Sequence, residues 1–530
     1  MSDKKGFSKL FLLVIGLFIG FQIGQWIGDS ADPDTEKVQQ VLELTKRYYL
    51  EEISADSLSE DAIEGILSKL DPHSVYISKE VQSTFEEQLE GNFEGIGIEF
   101  QIIDDTITVV SPIIGTPSDR LGIMPGDRII KIDDTTAVGF SNTQVIQKLR
   151  GKKGSKVRII IYRPSEKSEI VYEIERDVIP INSVEISLML QDSVGYISLT
   201  RFAEKTSEEL YEALNSLSNQ GMQYLLLDLR NNPGGLFEQS VEVSDFFISD
   251  DKLIVYTQGR IEEFNEERRA SQKYSFENIP LIVLINRGSA SASEIVAGAV
   301  QDWDRGLIVG ETSFGKGLVQ RPFLLNDNSA IRLSISRYYT PSGRAIQRNY
   351  KSDIDYYSEV MTRNEVDSDN YDHHEESDSL KQSFLTSKGR KVYDGGGITP
   401  DYNVSQGSLT KFTAELRSKN IFYQFVRDQI DNRKMELSDE IKTDLGLFLK
   451  NNIISESKIG EFKKFVQEKE IDLNSKEFND DIDYITSLLK AYFAKEYFNS
   501  EGWYSVLLNQ DDQINKSLTL LKKSKEMFLN

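Results

Sequence analysis

The amino-acid sequence predicts a multidomain α+β protein, because the hydrophobic pattern changes three times along the chain. Apolar residues recur at helical spacing from about 34 to 90 and again from about 408 to 530. Residues 92–178 instead alternate apolar and polar positions with a period of two, which is typical of strands. From about 180 to 405, apolar runs alternate with helical patterns, as in an α/β layer.

The composition excludes several classes of partner and site. The formal net charge is −24, so a nucleic-acid partner is not expected. The sequence contains no cysteine, which excludes disulfides, thiolate metal sites and a lipid anchor on an N-terminal cysteine. With 530 residues, the chain is long enough for several domains.

An uncharged apolar run at residues 10–27 predicts a membrane-spanning helix. Three lysines precede the run and three aspartates follow it, so we expect the N-terminus to stay in the cytoplasm. A cleaved signal peptide is the alternative. Because Gly28-Asp29-Ser30 is a poor cleavage site, we favour an uncleaved anchor at residues 1–28.

A helical N-terminal region is predicted at residues 34–90. The segments VQQVLELTKRYYL and DSLSEDAIEGILSKL carry apolar residues at helical spacing. Pro72, in the segment LDPHSVYIS, then forces a turn.

A small β-rich module follows at residues 92–178. GIGIEFQIIDDTITVVSPI predicts two strands joined by a turn at Asp104-Asp105. In SNTQVIQKLRG, Ser141 and Gln144 have the spacing of a capping box, which predicts a short helix. The segments KVRIIIYRP and EIVYEIERD complete the module as strands.

The third unit, residues 180–405, alternates predicted strands with predicted helices. Its apolar runs include VGYISLT, YLLLDLR, LIVLIN, GLIVGE and AIRLSISRYY. Residues 351–380 are acidic and weakly patterned, so we expect an exposed loop there. The pattern returns to a strand in GGGITPDYNV, and the extension at residues 408–530 is predicted to be helical.

The segment NRGSASASEIVAG contains three candidate nucleophiles, Ser289, Ser291 and Ser293. Helical spacing of the apolar residues that follow predicts a helix that begins within SASASE. The N–H groups at a helix start can stabilise a negative oxygen. The alternative is that these serines and alanines only cap and pack the helix.

The base that would activate a serine is either a histidine or a lysine. Only His73, His373 and His374 are present, and none lies in a segment that suggests positioning. Lys316 in GETSFGKGLVQ is the other candidate, with Phe314, Leu318 and Val319 as an apolar wall. Burial among apolar groups lowers a lysine pKa from about 10.4 towards ~7–8.

The segment around Lys316 has a second interpretation. GETSFGK matches the start of a phosphate-binding loop, but Gly317 replaces the hydroxyl residue that binds Mg²⁺. The next residues predict a strand, whereas that loop requires a helix. Upstream, LLLDLRNNPGG predicts a buried strand that ends in a tight turn, which is either ordinary or a source of a backbone N–H for an oxyanion.

These motifs, in the order DLRNNPGG, SASASE and FGKGLVQ, resemble those of the C-terminal processing peptidases, or tail-specific proteases. DPHSVY, IVYTQGR and GGGITPD also resemble family segments, and the similarity covers roughly residues 35–405. The resemblance implies an S41-type serine endopeptidase with a Ser-Lys dyad, an inserted PDZ domain and an α/β core of the ClpP/crotonase-like type. The acidic insert and the helical C-terminal extension depart from the minimal family pattern.

The resemblance also implies roles for individual residues. Ser291 matches the nucleophile, Lys316 the base, and Gln320 the glutamine that orients the lysine. The oxyanion donors would be the N–H groups of Ala292 and of Gly234 or Gly235. Glu294 would support the site, unless it is only an acid at a helix start. A regular strand would separate Gln320 from Lys316 by roughly 13 Å, so Gly317 must bend the chain if they are to touch.

In the PDZ domain, the resemblance implies a loop that binds a terminal carboxylate. Its residues are Gly95, Ile96, Gly97 and Ile98, and a substrate C-terminus would add as a strand to the sheet edge. Arg163, near the end of a strand, is a candidate for linking PDZ occupancy to activity.

The sequence is therefore interpreted as an endopeptidase that recognises protein C-termini. It is expected in the inner membrane, with one span and a periplasmic catalytic domain. No cofactor or metal is expected. Whether the protein is a homo-oligomer or needs an adaptor protein is left open. The alternative is a catalytically idle PDZ scaffold that tethers protein C-termini, against which the presence of both Ser291 and Lys316 argues.

Overall fold

The structure is a computed structural model, and it describes most of the chain. The described residues are 33–190, 193–272, 274–350, 356–363, 367–371, 381–435 and 437–529. The anchor expected at residues 1–28 lies outside them. Within the described ranges, no helix is both long and apolar enough to cross a bilayer.

The chain divides into two units. The described part of the first unit comprises residues 33–78 and 322–333. It contains helices α1 (Pro33–Tyr48) and α2 (Ala55–Leu67) and the short strand β1 (Val75–Ile77). β1 pairs antiparallel with residues 330–332. The predicted helical N-terminal region is confirmed.

The second unit begins with helix α3 (Lys79–Glu90) and the β-rich module. The module's sheet has the order β3-β4-β5-β7-β8, with β6 beside β5, while β2 pairs with β9. Its elements are β2 (Asn92–Gly95), β3 (Ile98–Ile103), β4 (Thr106–Pro112), α4 (Pro117–Arg120), β5 (Arg128–Ile132), β6 (Thr135–Thr136), α5 (Asn142–Leu149), β7 (Lys156–Arg163), β8 (Ser168–Glu175) and β9 (Asp177–Pro180).

Local chemistry in the β-rich module agrees with the sequence patterns. Asp104 and Asp105 both have positive φ, 45° and 58°, as the tight turn between β3 and β4 requires. Ser141 and Gln144 form the predicted capping box at the start of α5. Alternate residues of the strands meet in one core, which includes Ile107, Ile129 and Ile159.

A seven-stranded sheet of order β10-β11-β12-β15-β16-β22-β19 forms the centre of the α/β part, where β22 is Tyr402–Asn403 and β19 is Ser368–Asp369. The five inner strands run parallel, and β10 and β19 are antiparallel to their neighbours. The helices and strands from residue 184 to residue 339 are β10 (Val184–Met189), β11 (Val194–Leu199), α6 (Thr206–Asn219), β12 (Tyr224–Asp228), α7 (Phe237–Asp245), β13 (Leu253–Gly259), β14 (Glu267–Arg269), β15 (Leu281–Ile285), α8 (Ala292–Asp302), β16 (Leu307–Gly310), β17 (Leu318–Leu324) and β18 (Ala330–Tyr339). Of these strands, β13, β14, β17 and β18 belong to a separate sheet.

The described residues between 356 and 403 correct one prediction. The sequence predicts an exposed loop at residues 351–380, but the described part of this segment includes a helix and a strand of the sheet. The helix is held because Glu359 pairs with Arg348, and the strand is held because it pairs with residues 402–403. The elements here are α9 (Tyr356–Thr362), β19 (Ser368–Asp369), β20 (Ser383–Leu385), β21 (Lys391–Tyr393) and β22 (Tyr402–Asn403).

The C-terminal extension is helical, as predicted. Its first seven helices share a core that is rich in phenylalanine. The last helix instead packs against strands of the central sheet. The helices are α10 (Lys411–Ser418), α11 (Ile421–Asp431), α12 (Asp439–Thr443), α13 (Leu445–Lys450), α14 (Glu456–Glu468), α15 (Ser475–Asp480), α16 (Ile482–Leu507) and α17 (Asp512–Leu529).

The two faces of the central sheet have different coverings. Leu225 and Leu227 of β12 belong to the core that contains α6, α7 and α8. Leu226, between them, faces the other way and shares a core with Ile514 and Leu520 of α17. The continuous apolar run in β12 is therefore explained by burial on both faces.

Candidate active site

Ser291 lies at the junction between the central sheet and helix α8. Strand β15 ends at Ile285, and the helix begins at Ala292. Ser291 has φ 54° and ψ −112°, a backbone conformation that is costly for a residue other than glycine. The fold thus holds Ser291 in a strained turn at the positive end of a helix.

The other two serines of the motif use their hydroxyls inside the protein. Ser289 Oγ donates to Leu229 O at 2.8 Å, and Ser293 Oγ donates to Asn232 O at 2.9 Å. Both side chains are fully buried, whereas Ser291 is only partly buried. Ser289 and Ser293 therefore fasten the loop at 229–232 to the turn, and Ser291 is the serine that solvent reaches.

Gly234 lies directly against Ser291. A Cβ on Gly234 would stand 2.8 Å from Ser291 Cβ and 2.9 Å from Ala292 N, and its φ of +99° also favours glycine. At Gly235, φ is +150° and a Cβ would meet Phe202 O at 2.1 Å. Gly234 therefore keeps the space beside the serine open, whereas Gly235 allows the close approach of the Phe202 carbonyl.

The three backbone N–H groups suggested as oxyanion donors differ in their hydrogen bonding. The Gly234 N–H donates to Asn232 Oδ1 at 2.9 Å, so it already has a partner. In the part of the chain that the structure describes, the N–H groups of Ala292 and Gly235 donate to no protein group. Of the two glycines suggested by the sequence, Gly235 is therefore the one whose N–H has no protein acceptor among the described residues.

Glu294 joins the turn of Ser291 to the loop of Lys316. Its Oε2 accepts hydrogen bonds from the N–H of Ser291 at 2.8 Å and of Lys316 at 2.9 Å. Its Oε1 accepts from Ser313 Oγ at 2.5 Å and from Gly315 N at 2.7 Å. The carboxyl is fully buried, and this burial raises its pKa from 4.5 to about 6 despite the four hydrogen bonds, which lower it.

Tyr338 makes a second connection between the same two segments. Its hydroxyl donates to Lys316 O at 2.6 Å and also lies 3.1 Å from Ser291 O. The side chain is buried, which raises the pKa of its hydroxyl well above 10 and keeps it a donor. Glu294 and Tyr338 together fix the N–H and the carbonyl of Lys316.

The loop that carries Lys316 follows strand β16 and contains two close backbone approaches. A Cβ on Gly315 would lie 3.1 Å from Gly397 N, and one on Gly317 would lie 2.8 Å from Gln347 N. The Lys316 side chain is partly buried, and Gln320 is the third residue of β17 and is also partly buried. The phosphate-binding interpretation is wrong, because β17 follows the loop where a helix would be required.

The expected apolar wall has a more specific arrangement. The ring of Phe314 lies 4.5 Å from the guanidinium of Arg348 and 5.8 Å from the ring of Tyr356, at the start of α9. Leu318 is buried, and Val319 packs against the main core. Phe314 thereby connects the lysine loop to the described part of the acidic insert.

The candidate peptide site of the β-rich module contains the four residues named from the sequence. The carbonyl of Ile96 accepts from Ser118 N at 3.1 Å and Oγ at 2.7 Å, and that of Gly97 accepts from Ile113 N at 3.0 Å. The N–H groups of Ile96 and Gly97 donate to no group in the described ranges.

Strand β3 begins at Ile98, pairs with β4 and is the edge strand of its sheet. The loop at residues 95–98 thus combines unused N–H groups with a sheet edge, which suits an added peptide strand and its terminal carboxylate.

Arg163, suggested as a link between the PDZ domain and the catalytic site, is buried within the β-rich module. It donates to both carboxylate oxygens of Asp127 at 2.8 Å and to Gly122 O at 2.9 Å. Paired with Asp127, its guanidinium has a pKa raised above the usual range. Its direct role in the structure is to hold the turn at 122–127.

Of the three histidines, the structure describes only His73. His73 is buried in the turn before β1, and its backbone N–H donates to Asp71 Oδ1 at 3.0 Å. His373 and His374 lie outside the described residues. Among the residues that are described, no group of three His, Asp or Glu side chains could hold a metal ion.

Sequence reasoning missed the residues that connect the two halves of the site. Tyr338 belongs to a strand pattern that predicts only burial. Ser313 lies in the loop of Lys316, but nothing in the local pattern indicates a partner for its hydroxyl. Asn232, which orders the Gly234 N–H, lies in a motif whose pattern predicts only a tight turn. Only the shared position of these motifs at strand ends could have suggested their proximity.

Comparisons with known proteins agree with this architecture. The model for peptidase family S41 matches residues 193–356, and the PDZ domain model matches residues 95–174. A model described as the N-terminal domain of the activating protease CtpB matches residues 24–81, and a family of unknown function matches residues 412–499. The fold and site thus define a serine peptidase that contains a PDZ domain.

Two curated relatives are similar over most of their length. The carboxy-terminal processing protease CtpA of Bacillus subtilis is 36% identical over 327 residues, which are 62% of this chain and 69% of that protein. The carboxy-terminal-processing protease of Bartonella bacilliformis is 36% identical over 352 residues, or 64% of this chain and 80% of that protein. The chain belongs to the carboxy-terminal processing proteases of peptidase family S41.

A solved structure is also similar. The photosystem II D1 C-terminal processing protease is 28% identical, and the match covers 60% of this chain and 91% of that one with a TM-score of 0.34.

Proposed function

We propose that this serine protease cleaves peptide bonds with a Ser291–Lys316 dyad. The observation that carries the proposal is the double connection between the two residues. Glu294 accepts from both of their N–H groups, and the Tyr338 hydroxyl lies against both of their carbonyls. Such rigid support of two backbones is what a nucleophile and its base require.

In the proposed reaction, neutral Lys316 accepts the proton of the Ser291 hydroxyl while Oγ attacks the carbonyl carbon of the peptide bond. The resulting oxyanion accepts hydrogen bonds from the N–H groups of Ala292 and Gly235. Protonated Lys316 then gives its proton to the leaving amine, and an acyl-enzyme remains. In the second half, Lys316 takes a proton from the water that attacks the ester carbonyl. It returns this proton to Ser291 Oγ as the C–O bond breaks and the carboxylic acid product leaves.

Gln320 is proposed to orient the Lys316 amine. Its place in the first half of β17 makes it part of the same segment as Lys316, because only Gly317 and the first two strand residues separate them. Replacement by leucine would remove the polar group and retain a similar volume. We expect the rate of cleavage to fall and the affinity for peptides to be retained.

The PDZ domain is proposed to bind the C-terminus of the protein substrate. The unused N–H groups of Ile96 and Gly97 would hold the carboxylate, and β3 would pair with the residues that precede it. No cofactor or metal enters this reaction.

The cellular site is proposed from the N-terminal sequence alone. The apolar run at residues 10–27, with basic residues before it, would anchor the chain in the inner membrane and place the protease in the periplasm. Removal of residues 1–30 should release an active protein from the membrane into buffer without detergent. If the shortened protein still sediments with membranes, the anchor is not at these residues.

The proposed chemistry is tested by comparing casein degradation by the purified wild-type protein and by Ser291→Ala. We expect degradation by the wild type only, with equal binding of C-terminal peptides by both. Equal degradation by the variant would refute the dyad. Absence of degradation by either protein, with peptide binding intact, would instead support the PDZ scaffold.

A further inference from the structure

The C-terminal extension contacts the loop that leads to the oxyanion glycines. Arg230 begins this loop directly after the motif strand β12 and Leu229, and its side chain is only 8% exposed. Its Nε and Nη2 donate to the carboxylate of Asp228. Its Nη1 donates to Asp511 Oδ2 at 2.7 Å and to Gln513 Oε1 at 3.1 Å. Asp511 and Gln513 thus accept the hydrogen bonds of Arg230 Nη1, although they are distant from it in the sequence.

Asp511 also caps the N-terminus of α17. Its Oδ1 accepts from Gln513 N at 2.9 Å and from Ile514 N at 3.0 Å, as a helix-capping residue does. Gln513 is fully buried, and its Nε2 donates to Val404 O at 2.7 Å, just after β22. The helix start is therefore fixed to the central sheet, and through Asp511 it fixes Arg230.

The loop from Arg230 to Gly235 is hydrogen-bonded at Asn231 and Asn232 to the segment that carries Ser291. Beyond Arg230, the Asn231 N–H donates to Asn286 Oδ1 at 2.9 Å. The Asn232 carbonyl accepts from Ala290 N at 3.0 Å and from Ser293 Oγ at 2.9 Å, next to Ser291. A shift of Arg230 would therefore be passed to the residues that position Gly234 and Gly235.

The positive charge of Arg230 explains why its second acceptor is a carboxylate, that of Asp511. Arg230 is permanently protonated and nearly buried, so each of its N–H groups requires an acceptor. Asp228 can serve one side of the guanidinium, and Tyr196 also donates to that same carboxylate at 2.7 Å. On the other side, Asp511 is the charged acceptor and Gln513 the neutral one.

We propose that Asp511 is a positioning residue for peptide cleavage, acting through Arg230 on the loop that supplies the Gly235 N–H to the oxyanion. The start of helix α17 then helps to position the active site, while the rest of the helix packs against the central sheet. This inference rests on the proposed serine mechanism and extends it to a segment that the resemblance left without a role.

The test compares Asp511→Asn with Asp512→Asn in the full-length protein. Asp511 caps α17 with one carboxylate oxygen and accepts from Arg230 with the other, and asparagine would place an NH2 donor at one of these two positions. Asp512 is the exposed acid beside it and serves as a matched control. A second variant, Asp511→Ser, keeps a capping hydroxyl that is too short to reach Arg230, and it covers the case in which Asp511→Asn folds poorly.

Peptide hydrolysis is measured per active site, with the sites counted by a fluorophosphonate that labels the nucleophile. We expect kcat to fall about 10-fold or more in both Asp511 variants, as the loss of a charge-assisted hydrogen bond allows. KM and the affinity of the PDZ domain for peptide should stay within about twofold of the wild type, and Asp512→Asn should retain full kcat.

Three results would overturn the role of Asp511. They are an unchanged kcat per site in Asp511→Asn or Asp511→Ser, an equal loss in Asp512→Asn, and a loss explained entirely by fewer labelled sites. The last would mean that Asp511 only stabilises the fold. A wild-type protein that neither reacts with the reagent nor cleaves peptide would refute the serine mechanism itself, which separates the two failures.

Discussion

The carboxylate of Glu294 accepts a hydrogen bond from the backbone N–H of Lys316 at 2.9 Å, and the same oxygen accepts one from Ser291 at 2.8 Å. One buried acid thus ties together two segments that lie 25 positions apart between nucleophile and base. A fully ionised carboxylate can accept all four of the bonds that Glu294 receives, whereas its protonated form or an amide cannot.

Glu294→Gln should therefore lower the rate of peptide cleavage while the protein still folds. In either orientation the amide nitrogen would face two donors, so we expect kcat to fall by about 100-fold, on the order of 3 kcal/mol for one or two unmade bonds. Steady-state kinetics with thermal unfolding as the folding control measure this. Wild-type kcat in the variant would show that Glu294 does not position the dyad.

The pH dependence of stability tests the environment of Glu294. Its pKa rises from 4.5 to about 6 on folding, so folding takes up a proton between these values. The stabilisation is complete below pH 4.5 and is lost as pH rises through 6, by about 2 kcal/mol. The wild type should therefore lose Tm relative to Glu294→Gln between pH 4.5 and 7. A Tm difference that does not change with pH would contradict a buried, titrating carboxyl.

Lys316 should be replaceable neither by alanine nor by arginine. Arginine keeps the positive charge but stays protonated, so it cannot accept the serine proton. Both variants should lose activity, and wild-type activity should rise with pH through an apparent pKa well below the 10.4 of free lysine. Robust turnover by Lys316→Arg would show that Lys316 is not the base.

Gly234→Ala tests the space beside the nucleophile. The added methyl would stand 2.8 Å from Ser291 Cβ and 2.9 Å from Ala292 N, and the φ of +99° adds strain. We expect kcat to fall by at least about 100-fold, because the methyl displaces an oxyanion donor. Gly460→Ala in α14, where the methyl meets nothing within 4 Å, is the matched control. Equal activity of both variants would remove Gly234 from the site.

Amidation of a peptide's C-terminus tests the PDZ loop. Without the carboxylate, the N–H groups of Ile96 and Gly97 lose a charged acceptor, so binding to the Ser291→Ala protein should weaken about 10-fold or more. Acetylation of the peptide's N-terminus is the control and should change nothing. If free-acid and amidated peptides bind equally, the loop does not recognise a carboxylate.

Much of the fold was predictable because its periodicities are local. The period-two pattern of residues 92–178 and the buried run of β12 report burial on one or two faces of a sheet. The capping box at Ser141 and the Asp104-Asp105 turn depend on neighbours only a few residues away. Such local patterns can be recognised in the sequence without knowledge of the tertiary structure.

The connections within the site were not predictable, because they depend on contacts distant in sequence. Glu294 has the pattern of any acid at a helix start, and Tyr338 that of any buried strand residue. Local chemistry could not choose among the three serines, whereas the structure shows that Ser289 and Ser293 are fully buried. The contact of Asp511 with Arg230 joins residues 281 positions apart, which no local pattern encodes.

The central claim is that Ser291 is the nucleophile and Lys316 its base. The most direct measurement is mass spectrometry of the protein after reaction with a fluorophosphonate. We predict one adduct, on Ser291, that is absent from Ser291→Ala and Lys316→Ala and present in Ser289→Ala and Ser293→Ala. An adduct on another serine, or undiminished labelling of Ser291→Ala, would contradict the account.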